Sequence, residues 1–320
     1  MILTHNYRIL KLWIKMRRIL IVGTGNIALR VAGFLNTRYA LYGLIRNSAY
    51  RQPLRDAGIL PLSGDLDDRH TLGRLSGLAD TILHFAPPPA AARTPLASGS
   101  RSSPAPTVLS DTRTRNLLCA LSQGTLPKQL IYISTSGVYG DCGGELIAET
   151  RTLNAQNQRA KLRVSAEMQI RLWAKHNGVR ASILRVPGIY AADRLPLERL
   201  KKGTPAIIAA EDGYTNHIHA DDLARCVIAA MHHGKANRVY HTVDDSRMKM
   251  GDYFDAVADA YKLPHPPRIS RGEAQTVLSP MLWSFMNESR RLLNTRMKQE
   301  LSVVMRYPTV ADTLKNIESV

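Results

Sequence analysis

Short apolar, β-branched segments alternate with helix-length segments through the first 245 residues of this 320-residue chain. Such alternation is typical of strand–helix–strand units, which pack into a parallel sheet covered by helices on both faces. The segments that we predict to be strands are RRILIV (17–22), ALYGLIR (40–46), TILHFA (81–86), QLIYIS (129–134), ASILRV (181–186) and RVYHTV (238–243). The sequence therefore predicts an α/β fold with a doubly wound parallel sheet.

A glycine-rich turn, GTGNIA (23–28), follows the first predicted strand and opens a helical segment. The first glycine permits a tight turn, and the second leaves room for a pyrophosphate to approach backbone N–H groups at the helix N-terminus. An ordinary glycine turn is the alternative. The residues expected to contact a dinucleotide here are Gly23, Gly25, Asn26, Ile27 and Ala28.

The residue that ends the second strand selects the dinucleotide. An acid at this place binds the ribose 2′-hydroxyl of NAD, whereas an arginine suits the 2′-phosphate of NADP. Arg46 occupies the place, so NADP is favoured over NAD, with a solvated arginine as the alternative. Asp65, in GDLDD (64–68), could accept a hydrogen bond from the adenine amine or cap the helix that follows.

The chain changes character near Pro187 and again after Asp245, and these changes suggest two lobes. We expect residues 17–187, completed by 217–244, to form the dinucleotide-binding domain. Residues 188–216 and 245–320 are expected to form a smaller, mainly helical substrate lobe. Residues 1–16 would be an N-terminal extension, with Met16 as an alternative start, and the Pro-rich segment 87–106 would be a loop or a lid.

Charge and cysteine content restrict the function further. The chain has 43 Lys and Arg residues against 26 Asp and Glu, a formal net charge of +17, which attracts phosphorylated partners. The charge is spread along the chain and aromatic residues make up only 6%, so nucleic acid is not the expected partner. No apolar run reaches the roughly 18 residues of a membrane span. The three cysteines are far apart, which predicts neither a metal site nor disulfides and fits a cytoplasmic location.

Six motifs carry a resemblance to a known family. GTGNIA, GDL, HFAPP, STSGVYG, LRVPGIYA and NHIHADDLA occur in the order seen in extended short-chain dehydrogenases, the NAD-dependent epimerase/dehydratase family. The match covers roughly residues 17–315, and the tail SFMNESRRLLNTRMKQEL resembles an atypical bacterial subgroup known as nucleoside-diphosphate-sugar epimerase-like. The resemblance implies a Rossmann-type sheet, NADP or NAD as cofactor, and a nucleotide-linked sugar or similar phosphorylated small molecule as substrate. It leaves a homodimer open.

The resemblance also adds residues to the expected site. Thr135, in STSGVYG, would polarise the substrate oxygen, and Tyr139 is a candidate proton carrier. Further cofactor contacts are expected from Leu66, Phe85, Ala86, Pro87, Ser134, Arg163 and Pro187. Substrate contacts are expected from Ser136, Tyr190, Arg194, His217, His219, Arg290 and Arg291.

One part of the family pattern is missing, namely the Tyr-x-x-x-Lys pair that transfers the proton. Glu167 fits the glutamate that follows the family lysine by four residues, which puts Arg163 at the lysine position and Arg159 at the tyrosine position. Arginine cannot act as an acid–base group because its pKa exceeds about 12. Arg163 could still bond the cofactor ribose, or it could form an ion pair with Glu167.

Three functional interpretations remain open. The chain could be an oxidoreductase or epimerase in which Tyr139, Tyr190, His217 or His219 carries the proton. It could be a sensor that binds NADP without turnover, or an RNA-binding relative. The alternative for the two histidines is structural, as hydrogen-bonding residues that cap the helix starting near Asp221.

Overall fold

The computed structural model describes residues 16–35, 38–89 and 109–318. The predicted extension, apart from Met16, and residues 90–106 of the Pro-rich segment lie outside the described residues. The chain divides into two compact units. Unit 1 comprises Met1–Ser134, Gln158–Ile183 and Gly234–Arg238, and unit 2 comprises Thr135–Asn157, Leu184–His233 and Val239–Val320. The domain boundaries expected from the sequence stay a prediction.

The described residues form strands and helices that alternate through most of the chain. The strands are β1 (Arg17–Val22), β2 (Tyr39–Ile45), β3 (Ile59–Ser63), β4 (Thr81–His84), β5 (Gln129–Thr135), β6 (Leu146–Ile147), β7 (Arg180–Val186), β8 (Gly188–Tyr190), β9 (Ala206–Ile207), β10 (Tyr214–Thr215), β11 (His217–His219), β12 (Arg238–His241), β13 (Met248–Lys249), β14 (Arg268–Ile269) and β15 (Arg291–Leu292). The helices are α1 (Asn26–Leu35), α2 (Arg51–Asp56), α3 (Thr112–Leu121), α4 (Gln158–Asn177), α5 (Leu197–Lys201), α6 (Ala220–His233), α7 (Met250–Ala260), α8 (Arg271–Val277), α9 (Pro280–Met286), α10 (Thr295–Leu301) and α11 (Val310–Glu318).

The central sheet has seven strands in the order β12-β7-β5-β4-β1-β2-β3. β1 pairs in parallel with both β2 and β4, β2 with β3, and β4 with β5. The chain adds β2 and β3 on one side of β1 and then crosses to add β4 and β5 on the other side. Ligands of open α/β sheets bind beyond the carboxyl ends of the strands at this switch point. The predicted Rossmann-type doubly wound sheet is confirmed.

Burial on both faces explains why the last four residues of β1, after the exposed Arg17 and Arg18, are all branched and apolar. Ile19, Leu20, Ile21 and Val22 are each 0% exposed, so both faces of the strand are covered. Parallel strands covered on both faces have continuous apolar runs rather than alternating ones. Each such side chain contributes roughly 1.5–3 kcal/mol when it leaves water.

Caps and apolar stripes fix the helices of unit 1. α3 begins after Asp111, whose buried carboxylate accepts hydrogen bonds from the backbone N–H groups of Arg113 and Thr114 at 3.0 and 3.3 Å. α4 presents Ala166, Ile170 and other apolar residues to the interior. It ends before Gly178, which has a φ of +65°. The sequence AKLRVSAEMQIRLWAKH, followed by Gly178, predicts a helix over 160–176, and the observed helix is two residues longer at its start and one residue longer at its end.

Unit 2 is built from short strand pairs and helices. β8 pairs in parallel with β11, β9 with β14, and β6 with β15, while β10 and β13 are antiparallel. α7 lies in the apolar core of the unit through Phe254 and Val257, which pack in one buried cluster with Leu200, Ile207 and Leu314. Within the described ranges, none of the helices combines the length and apolarity that a bilayer crossing requires.

Candidate functional site

The turn after β1 is closed by a contact that only glycine allows. Gly23 has a φ of +99°, and a Cβ built on it would lie 2.4 Å from the Ala86 backbone nitrogen and 2.8 Å from the Phe85 carbonyl carbon. The backbone N–H groups of Phe85 and Ala86 both donate to the carbonyl oxygen of Val22, at 2.7 and 2.9 Å. Gly23 is therefore required by the packing of the two strand ends at the switch point.

Two residues further on, no contact in the described part of the protein requires a glycine at Gly25. Its φ lies outside the left-handed region, and a Cβ built on it would meet no atom within 4 Å. The open space lies before α1, whose first N–H groups have no acceptors within the helix. A ligand that approaches the backbone needs this space, so the turn fits the pyrophosphate of a dinucleotide.

The other residues of the turn support the start of α1. The Asn26 side-chain oxygen accepts a hydrogen bond from Nε of Arg30 at 3.0 Å. Ile27 is half-buried, and Ala28 is buried against the sheet. α1 begins at Asn26, directly after Gly25.

Arg46, directly after β2, lies on the surface with 69% of its side chain exposed. Its Nη1 is 3.9 Å from Oδ2 of Asp67. The next residue, Asn47, accepts a hydrogen bond from the Ala49 backbone N–H at 2.9 Å, and this bond caps a short 3-10 helix. The strand end therefore presents an exposed guanidinium, as the NADP prediction requires.

The loop after β3 uses its acids to build turns. Asp65 accepts a hydrogen bond from the Asp67 backbone N–H at 3.0 Å. The cap of the following 3-10 helix is Asp68, which accepts from His70, so the alternative that Asp65 caps this helix is wrong. Leu66 is buried, and its carbonyl oxygen accepts from Asn116 at 2.8 Å.

Sequence reasoning missed Arg113, in the first turn of α3. Its Nε and Nη2 donate to the two carboxylate oxygens of Asp67 at 2.8 and 2.6 Å, and its Nη1 donates to the Pro87 carbonyl oxygen at 3.3 Å. The hydrogen bond from Arg113 holds the pKa of Asp67 below its usual value. No local pattern identifies this pair, because 46 residues separate its members.

Two predicted cofactor residues at β5 and α4 bond to the protein itself. The Ser134 hydroxyl donates to Glu167 at 2.6 Å, and both side chains are buried. Arg163, which the resemblance places at the family lysine position, donates through Nη1 to the Ile133 carbonyl oxygen at 2.6 Å and to the Tyr132 hydroxyl at 3.0 Å. Arg163 therefore bridges α4 to the end of β5, as a residue that supports the strand.

The hydroxyl turn of STSGVYG forms a short 3-10 helix in unit 2, Ser136–Tyr139. The Thr135 hydroxyl oxygen accepts a hydrogen bond from the Gly137 backbone N–H at 3.2 Å, and Ser136 is buried. Because the oxygen serves as an acceptor in this cap, the hydroxyl hydrogen of Thr135 can still be donated. Thr135 is half-buried and keeps the property that polarisation of a substrate oxygen requires.

Tyr139 lies in a buried polar network rather than on an accessible surface. Its side chain is 1% exposed, and its hydroxyl accepts from Nη1 of Arg185 at 2.6 Å. The same hydroxyl lies 2.6 Å from Nε2 of His241, whose Nδ1 lies 3.0 Å from the Leu293 carbonyl oxygen. Burial lowers the pKa of His241 to about 3, so the ring is neutral. The consistent arrangement is that Tyr139 donates to Nε2 while Nδ1 donates to Leu293.

Tyr190, His217 and His219 come together at the β8–β11 pair. The Tyr190 ring lies edge-on to both imidazoles, with centroids 6.0 and 5.4 Å away. Burial raises the pKa of Tyr190 and lowers that of His217 to about 3. Nδ1 of His219 accepts from the Asp221 backbone N–H at 3.2 Å, which is the capping contact expected under the structural alternative. The helix concerned, α6, begins at Ala220.

The arginines expected at substrate phosphates differ in their surroundings. Arg194 is exposed on a short 3-10 helix. Arg290 donates to the Gly140 carbonyl oxygen at 2.6 Å and to Glu288 at 2.7 Å. Arg291 donates through Nε to the Gly144 carbonyl oxygen at 2.7 Å. Both members of the SRR pair therefore support the loop over 140–144.

Pro187 and Arg159 are the two remaining residues that the sequence singled out. Pro187 is half-buried between β7 and β8. Arg159, at the family tyrosine position, is exposed on the first turn of α4. The geometry adds no chemical role to either residue.

Asp244 is a buried acid that the sequence did not single out. It is 3% exposed, and its Oδ1 accepts from the Ser246 backbone N–H at 2.9 Å. Its Oδ2 is buried without a hydrogen-bond partner of normal geometry among the described residues. Burial raises the pKa of Asp244 to about 7. An isolated Asp-Asp pair in a sequence gives no sign that one member is buried.

Comparisons with known proteins agree with this geometry. The sequence model described as the NAD dependent epimerase/dehydratase family matches residues 19–243. No curated protein matches the chain.

Three similar solved structures each cover nearly the whole chain. A functionally unknown conserved protein from Silicibacter pomeroyi is 25% identical, with a TM-score of 0.74 and coverage of 95% of this chain and 99% of that one. UDP-glucose 4-epimerase from Thermotoga maritima is 18% identical, with a TM-score of 0.73 and coverage of 94% and 97%. The dTDP-glucose 4,6-dehydratase from Streptomyces venezuelae, solved with NAD bound, is 20% identical, with a TM-score of 0.72 and coverage of 94% and 96%. The last two similarities concern the fold alone.

Alanine at each glycine of the turn should separate folding from ligand binding. We expect Gly25→Ala to change the free energy of unfolding by less than about 0.5 kcal/mol but to weaken dinucleotide binding at least ~10-fold, because its Cβ meets only the ligand. Gly23→Ala should cost more than about 2 kcal/mol, because its Cβ meets the Ala86 backbone. Urea unfolding and calorimetric titration measure the two effects. Gly33→Ala, in the interior of α1 and also without a neighbour for its Cβ, should stabilise the protein by up to about 1 kcal/mol and keep normal dinucleotide affinity, so it is the control for affinity. Normal dinucleotide affinity in Gly25→Ala would contradict the assignment.

Asp244→Asn should make the protein more stable at alkaline pH. The folded protein keeps the proton of Asp244 up to about pH 7, whereas an unfolded chain releases it near its ordinary pKa of 3.8. Stability from this group is therefore present below pH 4 and is lost as the pH rises to 7. We expect the variant to be more stable than the wild type by on the order of 1–3 kcal/mol at pH 8. At pH 4 the two should be nearly equal.

Urea unfolding of both proteins at each pH measures this difference. Buried histidines have the opposite pH dependence, but they are common to both proteins and cancel. Asp245→Asn, at the exposed neighbouring acid, is the control and should show no such pH-dependent gain. An Asp244→Asn effect that is the same at pH 4 and pH 8 would show that folding does not raise the pKa of Asp244.

Proposed function

The chain belongs to the NAD-dependent epimerase/dehydratase family, and on that premise we propose that it binds NADP in preference to NAD and exchanges hydride with a nucleotide-linked sugar or similar phosphorylated compound. The observation that carries the proposal is the open space at Gly25, which the folded chain does not itself need. A bound nicotinamide cofactor would supply the hydride acceptor or donor. The backbone from Gly25 to Ile27 would hold its pyrophosphate at the start of α1.

The preference for NADP rests on the end of β2. Arg46 stands where an acid would bind the 2′-hydroxyl of NAD, and its guanidinium is 69% exposed. A phosphate monoester has a second pKa near 6, so the 2′-phosphate carries nearly two negative charges at neutral pH. Arg46 would donate a charge-assisted hydrogen bond to this phosphate. NAD lacks the phosphate and would not gain this interaction.

The substrate class rests on charge and on the fold. The net charge of +17 favours phosphorylated ligands, and Arg194 offers an exposed guanidinium in unit 2. The solved epimerase and dehydratase with this fold act on UDP-glucose and dTDP-glucose by their names. Arg290 and Arg291 are weaker candidates for phosphate contact, because each already donates to the loop over 140–144.

The proposed chemistry proceeds without the usual proton carrier. Thr135 would donate a hydrogen bond to the substrate oxygen, since its own oxygen accepts from the Gly137 N–H, and the proton that accompanies hydride transfer would be exchanged with water. Tyr139 is a poor proton carrier, because it is 1% exposed and its hydroxyl is held by Arg185 and His241. General acid–base catalysis contributes typically 10²–10⁴-fold, so turnover should be slow by about that factor.

A second candidate function is an NADP sensor that binds without turnover. The observation in its favour is that the proposed acid–base side chains are engaged or buried. Tyr139 is held in its network, His217 is a neutral buried base with a pKa of about 3, and His219 caps α6. A chain that binds NADP and has no proton carrier would report the nicotinamide redox state rather than change it.

Titration with both dinucleotides should show tighter binding of NADP. We expect its affinity to exceed that of NAD by about 10-fold or more, and Arg46→Ala to remove the difference by weakening NADP alone, because NAD has no 2′-phosphate. Calorimetry measures the four dissociation constants. Arg38→Ala, a matched change before β2, should leave all of them unchanged. Equal affinities in the wild type would refute the role of Arg46, and no binding of either dinucleotide would refute the proposed function.

Turnover should depend on Thr135 and not on Tyr139. With NADPH and oxidised nucleotide sugars as substrates, we expect slow NADPH consumption that Thr135→Val, which removes only the hydroxyl, reduces at least ~10-fold without changing NADP affinity. Tyr139→Phe should lower stability by about 1–3 kcal/mol, because it leaves buried partners unpaired, and should retain turnover. Stopped-flow absorbance and thermal unfolding are the measurements. NADP binding together with no turnover on any nucleotide sugar would favour the sensor.

A further inference from the structure

Asp67 lies between two arginines in unit 1, and the two contacts are unequal. Arg113 holds both carboxylate oxygens side-on at 2.8 and 2.6 Å, while Nη1 of Arg46 is 3.9 Å away. The bidentate arrangement is the strongest geometry for an arginine–carboxylate pair. Asp67 is therefore committed to Arg113, and its contact with Arg46 is a loose one.

The exposure of the three side chains follows the same order. Arg113 is 19% exposed, Asp67 41% and Arg46 69%. The better buried pair loses less strength to solvent screening. Arg46 lies outside the pair, on the solvent side, where an incoming anion can reach its guanidinium.

The position of Arg113 is costly for its own helix. Arg113 is in the first turn of α3, where the positive end of the helix dipole disfavours a cation. The helix already has its cap in Asp111, so Arg113 adds nothing to helix formation. Its three hydrogen bonds join the loop after β3 to the Pro87 carbonyl oxygen after β4. The contribution of Arg113 is to hold the Asp67 carboxylate in a bidentate pair.

Without Arg113, the local charges would act against a phosphate. Arg46, Asp67 and Arg113 together carry one net positive charge. If Arg113 is removed, Asp67 and Arg46 cancel, and Asp67 is left free to pair with Arg46. A phosphate arriving at Arg46 would then meet an occupied guanidinium and an unshielded carboxylate.

We propose that Arg113 determines dinucleotide specificity by sequestering Asp67, so that Arg46 is available to the 2′-phosphate of NADP. The proposal rests on the proposed function, in which Arg46 recognises that phosphate. Arg113 acts through Asp67 and Arg46 and is a positioning residue. Its effect is confined to the phosphate that distinguishes the two dinucleotides, so NAD binding should not depend on it.

A double-mutant cycle tests the proposal. Dissociation constants for NADP and NAD are measured by calorimetry for the wild type, Arg113→Met, Asp67→Asn and the double variant. We expect Arg113→Met to weaken NADP binding about 5–10-fold and NAD binding less than about 2-fold. Asp67→Asn should bind NADP as tightly as the wild type or more tightly. The double variant should regain wild-type NADP affinity, because without the acid there is nothing for Arg113 to sequester.

Two further variants, Arg115→Met and Arg46→Ala, allow each outcome to be interpreted. Arg115→Met changes an exposed arginine on the same helix and should leave both affinities unchanged. NAD affinity shows that each variant is folded. If Arg46→Ala leaves NADP affinity unchanged, phosphate recognition at Arg46 in the proposed function is wrong. If Arg46→Ala weakens NADP but Arg113→Met does not, or if Asp67→Asn fails to rescue Arg113→Met, the inference about Arg113 is wrong while the proposed function stands.

Discussion

The close approach of Gly23 to the backbone of Phe85 and Ala86 is the constraint on which the cofactor side of this protein depends. It joins the carboxyl ends of β1 and β4, the neighbouring strands at the switch point of the sheet. The N–H groups of Phe85 and Ala86, which donate to the Val22 carbonyl oxygen, hold the same junction from the β4 side. With the junction fixed, α1 starts at a defined place and leaves the space at Gly25 open. A single steric requirement thus produces both the packing of the sheet and the room for a ligand.

The α4 face shows how residues expected at a reaction site can serve the fold instead. Arg163, which the resemblance places at the family lysine position, bonds to the Ile133 carbonyl oxygen and the Tyr132 hydroxyl at the end of β5. Glu167, one turn on, receives the Ser134 hydroxyl. Both contacts join helix to strand, which stabilises unit 1 whether or not a proton is ever transferred. Retention of residues at these places is therefore weak evidence for catalysis.

Sequence patterns predicted the features that depend on neighbours along the chain. The alternation of apolar and helix-length segments and the glycine spacing after β1 are local, and they were sufficient to predict the doubly wound sheet and the glycine turn. The contacts of side chains across the fold were not predictable in this way. Tyr139 and His241 are 102 residues apart, and only the folded chain shows that the tyrosine is buried against the histidine. The exposed acid Asp67 and the buried acid Asp244 look alike in a sequence, because the solvent around a carboxyl is a property of the tertiary structure.

Under the proposed function, the open turn at Gly25 would determine which parts of cofactor recognition can change. The turn would bind any dinucleotide through backbone groups, and its geometry is tied to the β1–β4 junction that the fold requires. The side chains that would distinguish one dinucleotide from another lie on the surface, where substitutions usually alter stability by no more than about 0.5 kcal/mol. Under the proposed function, a change of cofactor selectivity would therefore cost the fold little, whereas loss of the dinucleotide site itself would require the β1–β4 junction to change.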